Sequence, residues 1–96
     1  MIKVVATLSI KPNEVDTFLT LAKKIVAATL EADGGCRSYS LCEDVNAVNT
    51  FAFIEEWESQ TALDAHMQST HFVELFPKIS ELATEPSAIS ILKTRI

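Results

Sequence analysis

Glycine is almost missing from this chain: Gly34 and Gly35 are the only two in 96 residues. A pair of adjacent glycines cannot form the spaced glycine-rich loop that cradles phosphates, so the nucleotide and flavin fingerprints are excluded. Basic residues are also few, eight against 13 acidic ones, giving a net charge of −5. With no cluster of Lys or Arg there is no footprint for a phosphate backbone, and nucleic acid is not expected as a partner. Long apolar runs are absent too. Met1 to Val5 enters an alternating pattern rather than a signal-peptide core, and nothing approaches membrane-spanning length. A soluble, cytoplasmic protein without membrane association is the expectation.

Cysteine is limited to Cys36 and Cys42. Both fall in one expected strand, where six residues separate them by roughly 20 Å, too far for a bridge. No C-x-x-C spacing activates either thiol, so both read as small hydrophobes in a reducing compartment.

What the chain has in plenty is apolar surface, 48% of residues against 22% charged. A chain this short holds one domain, residues 1–96, and would struggle to hide that much apolar area alone. A subunit interface is therefore expected. Ile2, Val4, Ala6, Leu8 and Ile10 alternate as one face of a strand. Pro12 and Asn13 then open a helix to about Leu30, with Val15, Phe18, Leu19, Ala22, Ile25, Val26 and Thr29 as its stripe. Gly34-Gly35 is read as supplying permissive dihedrals for entry into the next strand.

Cys36–Glu43 and Val48–Glu58 read as strands joined by the turn Asp44-Val45-Asn46-Ala47. Ser59 caps a short helix through Met67, and Thr70 is expected to cap a second segment buried through Phe72, Leu75, Phe76, Ile79 and Leu82. Pro77 is expected to kink or restart it. Ile89, Ile91 and Leu92 form a last strand ending near Arg95. The order β-α-β-β-α-β is that of the ferredoxin-like α+β fold, a four-stranded antiparallel sheet with helices on one face. Phe51, Phe53 and Trp57 on one side of the third strand, with Val48, Ala52 and Ile54 on the other, make both faces apolar. The expected cover is a second copy, sheet to sheet.

Chemistry concentrates between Glu55 and Phe76. His66 shares a helix side with Ala62, facing the sheet, where a neutral imidazole could accept a proton. It could equally hydrogen-bond a carboxylate or carbonyl and fix the helix. Glu55 emerges on the same strand face as Trp57 and Phe53; it could orient His66 or a substrate hydroxyl, or make only a buried hydrogen bond. Trp57 reads as a pocket wall or as core, and Tyr39 as a phenolic donor or as core. His71 is placed at the pocket rim or surface. Five-residue spacing and the Ser69-Thr70 break argue against a metal shared by the two histidines.

Glu55-Glu56-Trp57-Glu58-Ser59, Ala62-Leu63, Ala65-His66 and Ser69-Thr70-His71-Phe72 resemble the signature of the antibiotic biosynthesis monooxygenase domain family. The likeness extends to Gly35-Cys36 and Tyr39, and within the family it is nearest to bacterial quinol monooxygenases. It implies a dimeric α/β barrel and oxidation of a quinol or related aromatic by molecular oxygen with no cofactor, the substrate supplying the electrons. It also implies that Trp57 and His66 occupy pocket positions. Members acting on polyketides carry asparagine and tyrosine where this chain has Phe53 and Leu63, and the haem-degrading relatives' axial histidine has no counterpart at Leu75-Phe76-Pro77. The same fold serves non-oxidative isomerases and plain binding domains. Phe51, Phe53, Trp57 and Phe72 favour an aromatic ligand over a phosphorylated sugar, which would want paired cations.

Overall fold

Alternation and helical spacing resolve into a layered α+β structure in a computed structural model that describes residues 1–96. β1 (Ile2–Ser9) leads through a 3-10 turn at Pro12–Glu14 into α1 (Val15–Ala32). β2 (Cys36–Glu43) and β3 (Thr50–Trp57) follow, then α2 (Gln60–Met67), α3 (Thr70–Glu81) and β4 (Ala88–Lys93). The sheet order is β2-β3-β1-β4 with every pairing antiparallel, the ferredoxin-like arrangement.

Period-two alternation on β1 and β3 sends Val4, Ala6, Leu8, Phe51, Phe53, Glu55 and Trp57 to the helix side, where all are buried. The α1 stripe answers with Phe18, Ala22, Ile25 and Thr29. Phe18 lies against Phe51 with ring centroids 4.9 Å apart, locking helix to sheet. No helix is long and apolar enough to cross a membrane.

Several expectations need correcting. The hairpin loop runs to Asn49, whose φ of 55° is the one positive value in the chain; β3 therefore starts at Thr50, and Val48 is an exposed loop residue. With Val48 removed, the outer sheet face is mixed rather than apolar. It carries Lys3, Val5 and Thr7 beside Ala52, Ile54 and Glu56, with Ser38 and Ser40 on β2. The cap of α3 is Ser69, not Thr70: its hydroxyl accepts from the Phe72 amide. Pro77 lies inside an unbroken α3. The carbonyl deprived of its partner is that of Val73, itself 60% exposed, where water can take the bond.

Neither glycine has positive φ, so dihedral freedom does not explain them. Gly35 is needed for space: a Cβ there would lie 2.5 Å from the Ala62 Cβ, whereas one on Gly34 would meet nothing. Gly35 thus lets α2 settle beside the start of β2. Gly35→Ala should cost about 1–3 kcal/mol, as overpacking does, while Gly34→Ala should be neutral or stabilise by about 0.4–1 kcal/mol. Urea midpoints of the two variants check this, and equal midpoints would contradict it.

Candidate active site

The helix layer stops short of β4. Ile89 and Ile91 point to the helix side yet remain 53% and 49% exposed, which leaves a cleft between the sheet and the α2–α3 pair. Its empty space of about 390 Å³ includes open solvent, so the cleft is a shallow, largely apolar opening rather than an enclosed cavity. Val4, Ala6, Tyr39 and Glu55 form the floor; Leu63, His66, Met67, Phe72 and Phe76 form the roof, with Ile89 and Ile91 at the open side.

His66 reaches this place because Ser59 caps α2 by accepting from the Ala62 amide, which sets Leu63 and His66 on the buried side of a two-turn helix. Ser69 then closes α2 and opens α3, donating to the His66 carbonyl and accepting from the Phe72 amide. That reversal carries His71 back toward His66, their rings 5.8 Å apart. Both imidazoles meet one carboxylate oxygen: Asp33 Oδ2 lies 2.7 Å from His66 Nδ1 and 3.0 Å from His71 Nε2. A carboxylate can only accept, so each histidine donates its N–H. The two histidines are therefore brought together despite their spacing, and His71, expected at the pocket rim or surface, is a partly buried tether outside the cleft lining.

Asp33 escaped the sequence reading. It occupies the C-cap of α1, where a negative charge opposes the helix dipole. An acid directly after a helix, before Gly34-Gly35, was the available signal, since residues that break a local rule often serve a site. With Nδ1–H committed to Asp33, His66 keeps a bare lone pair on Nε2, which is buried without any partner. Burial lowers the His66 pKa, and the Asp33 bond only partly opposes this. The ring is neutral at pH 7.

Asp33, His66 and His71 are compact enough to hold one metal ion. Their hydrogen bonding argues for protons instead. A metal on Nδ1 would force the remaining proton onto Nε2, where no acceptor waits, whereas histidine ligands normally have a partner for the second nitrogen.

Glu55 makes no hydrogen bond to His66, and orienting that ring falls to Asp33. The Glu55 Oε1 atom accepts from Trp57 Nε1 at 2.9 Å. Burial pushes the Glu55 pKa up to about 7 despite that bond. Tyr39 is raised well above the usual phenol range by burial and then by the Glu55 charge, so its hydroxyl stays protonated. Burial likewise raises the Cys36 thiol to about 11, which leaves it inert. Phe72 meets His66 edge-on at 5.0 Å and stacks on Phe76. Trp57 and Phe53 do not line the cleft. Trp57 is fully buried behind it, its ring 4.6 Å from His66.

Comparison with known proteins bears on the family and the fold. The sequence matches the family described as antibiotic biosynthesis monooxygenase over residues 1–78. It is 30% identical to YcnE of Bacillus subtilis, provisionally named a monooxygenase, across all of this chain and 98% of that one. It is 31% identical to Rv0793 of Mycobacterium tuberculosis, which carries the same provisional name, over 95% of this chain and 88% of the other. Among solved structures, a conserved protein from Methanosarcina mazei superposes with a TM-score of 0.95 at 33% identity, covering 98% of this chain and 92% of that chain.

Proposed function

The chain belongs to the antibiotic biosynthesis monooxygenase family, and from that premise we propose that it is a cofactor-independent monooxygenase acting on a quinol or related aromatic polyphenol. The observation that carries this reading is a neutral imidazole with an unpartnered Nε2 in the wall of a largely apolar cleft. A quinol hydroxyl entering the cleft would give that lone pair its missing donor, and the desolvated, neutral ring is a base suited to take the proton. The quinolate then supplies the electrons: quinol plus O₂ gives hydroxyquinone plus water, with one oxygen atom in each product. Tyr39, held protonated, can donate a hydrogen bond to the anion. Phe72 offers an aromatic face to the ring, and His71 acts through Asp33.

An isomerase of a phosphorylated sugar, or a binding domain of the same fold, is the other class. The cleft lining contains no Lys or Arg to hold a phosphate. Oxygen uptake with a panel of hydroquinones, with and without a chelator, separates the two. Expected is hydroxyquinone formation above autoxidation and indifferent to the chelator. Turnover of a sugar phosphate without oxygen uptake would overturn the reading.

The same reading includes a homodimer built by residues 1–96 as a single domain of this family. Its support is β4, exposed along its whole length with Ile89 and Ile91 toward the cleft and Leu92 on the outer face; such surface is costly to leave in water. Light scattering at micromolar concentration should report twice 10.6 kDa, and a monomer would refute it.

A further inference from the structure

We propose that Glu55 is the acid that protonates the departing peroxide oxygen, a catalytic role separate from that of His66. The inference rests on the monooxygenase reading above and concerns its last step. Addition of O₂ to the quinolate forms a carbon–oxygen bond at a ring carbon that still carries hydrogen. The resulting peroxide anion takes the proton that His66 removed, giving a hydroperoxide and restoring the neutral imidazole.

Water must then leave. The C–H proton goes to a base, its electron pair closes the new carbonyl, the O–O bond breaks, and the outer oxygen accepts a proton as it departs. Base and acid act in the same step, on atoms two bonds apart, and one imidazole cannot do both. A second proton-bearing group has to reach the cleft.

Of the residues lining it, only Glu55, Tyr39 and His66 carry such groups. His66 comes from the α2 roof, while Glu55 rises from the β3 floor, so substrate between them meets a base on one side and an acid on the other. Glu55 is 5% exposed; its one hydrogen bond is the indole N–H on Oε1. No Lys or Arg pairs with it, and the titratable groups near it, Tyr39 and Cys36 of β2 and His66 of α2, bring no positive charge while His66 is neutral. An unpaired carboxyl in apolar surroundings favours its protonated form, and its pKa of about 7 keeps much of it protonated at neutral pH yet able to give the proton up. The Tyr39 phenol is far too weak an acid for the task. After water leaves, the proton on His66 returns to Glu55 through solvent, and the cycle is reset.

Glu55→Gln tests this, since the amide oxygen can still accept from Trp57 but no proton can be supplied. Without the acid, the hydroperoxide loses its remaining hydroxyl proton and expels hydrogen peroxide, giving quinone. Hydroxylated product per oxygen consumed should fall by ~10²-fold, with hydrogen peroxide appearing in its place. An unchanged ratio in a folded variant, checked by circular dichroism, would overturn the proposal. The wild-type protein offers a second measurement that needs no variant: its ratio of hydroxylated product to peroxide should fall as pH rises through about 7, and a flat ratio would also overturn it. If the wild type consumes no oxygen with any quinol, the monooxygenase reading itself fails, and the role of Glu55 with it.

Discussion

Replacing His66 by phenylalanine should lower quinol turnover by ~10²-fold or more, the usual contribution of a positioned general base, while leaving the protein folded. Phenylalanine nearly matches the imidazole in volume and suits the surrounding Trp57, Tyr39 and Phe72 rings. Asp33 would lose one donor and keep the other, from His71. Asp33→Asn should cost less than His66→Phe. The amide oxygen can still receive Nδ1–H, but the amide can also turn its NH₂ toward the ring and stabilise the tautomer that has no lone pair on Nε2. Because burial lowers the His66 pKa, the acidic limb of kcat/KM should lie below the ordinary histidine value of about 6.5. Full activity in His66→Phe would remove the ring from the mechanism, and loss of the fold in that variant would make the histidine structural.

Trp57→Ala should destabilise the protein by about 3–5 kcal/mol, in the range for deletion of a buried large aromatic. Trp57 is 0% exposed; it packs on His66 and edge-on to Tyr39, and supplies the one hydrogen bond Glu55 receives. Its removal opens a void and strands a carboxyl together. Trp57→Phe should fall between wild type and alanine, keeping most of the ring contact while losing the N–H, a loss of about 1–3 kcal/mol for an orphaned buried partner. Urea unfolding of the three proteins checks the order. A change of under about 1 kcal/mol in the alanine variant would mean that the core collapses around the gap.

The elements were legible because their signals are local. Alternation along Ile2–Ile10 and the Phe18, Ala22, Ile25, Thr29 spacing each follow one period, and Ser59 before an apolar run marks a helix start. The end of the hairpin loop was harder, because Val48 looks like strand material; Asn49, a residue type that tolerates positive φ, was the available signal. The site was half legible. Glu55, Tyr39, His66 and Phe72 sit on faces that periodicity predicts. Asp33 meets His66 across 33 positions of sequence, a relation no period encodes. Trp57 stays open between wall and core in the sequence because alternation gives the side of a strand but not the depth beneath a helix.

Asp33 Oδ2 ties the end of α1 to both helices of the roof through two histidines, and this gives the cleft unequal jaws. The lower jaw is hydrogen-bonded sheet, with Glu55 clamped to its neighbour two residues along the same strand. The upper jaw is a pair of short helices rooted in the core by Leu63 and Ile79, and its two histidines share a single carboxylate oxygen. A guest thick enough to displace this roof would draw His66 away from Asp33 and loosen the hold on its tautomer. On the base role proposed for His66, such a guest should occupy the cleft and yet go unreacted.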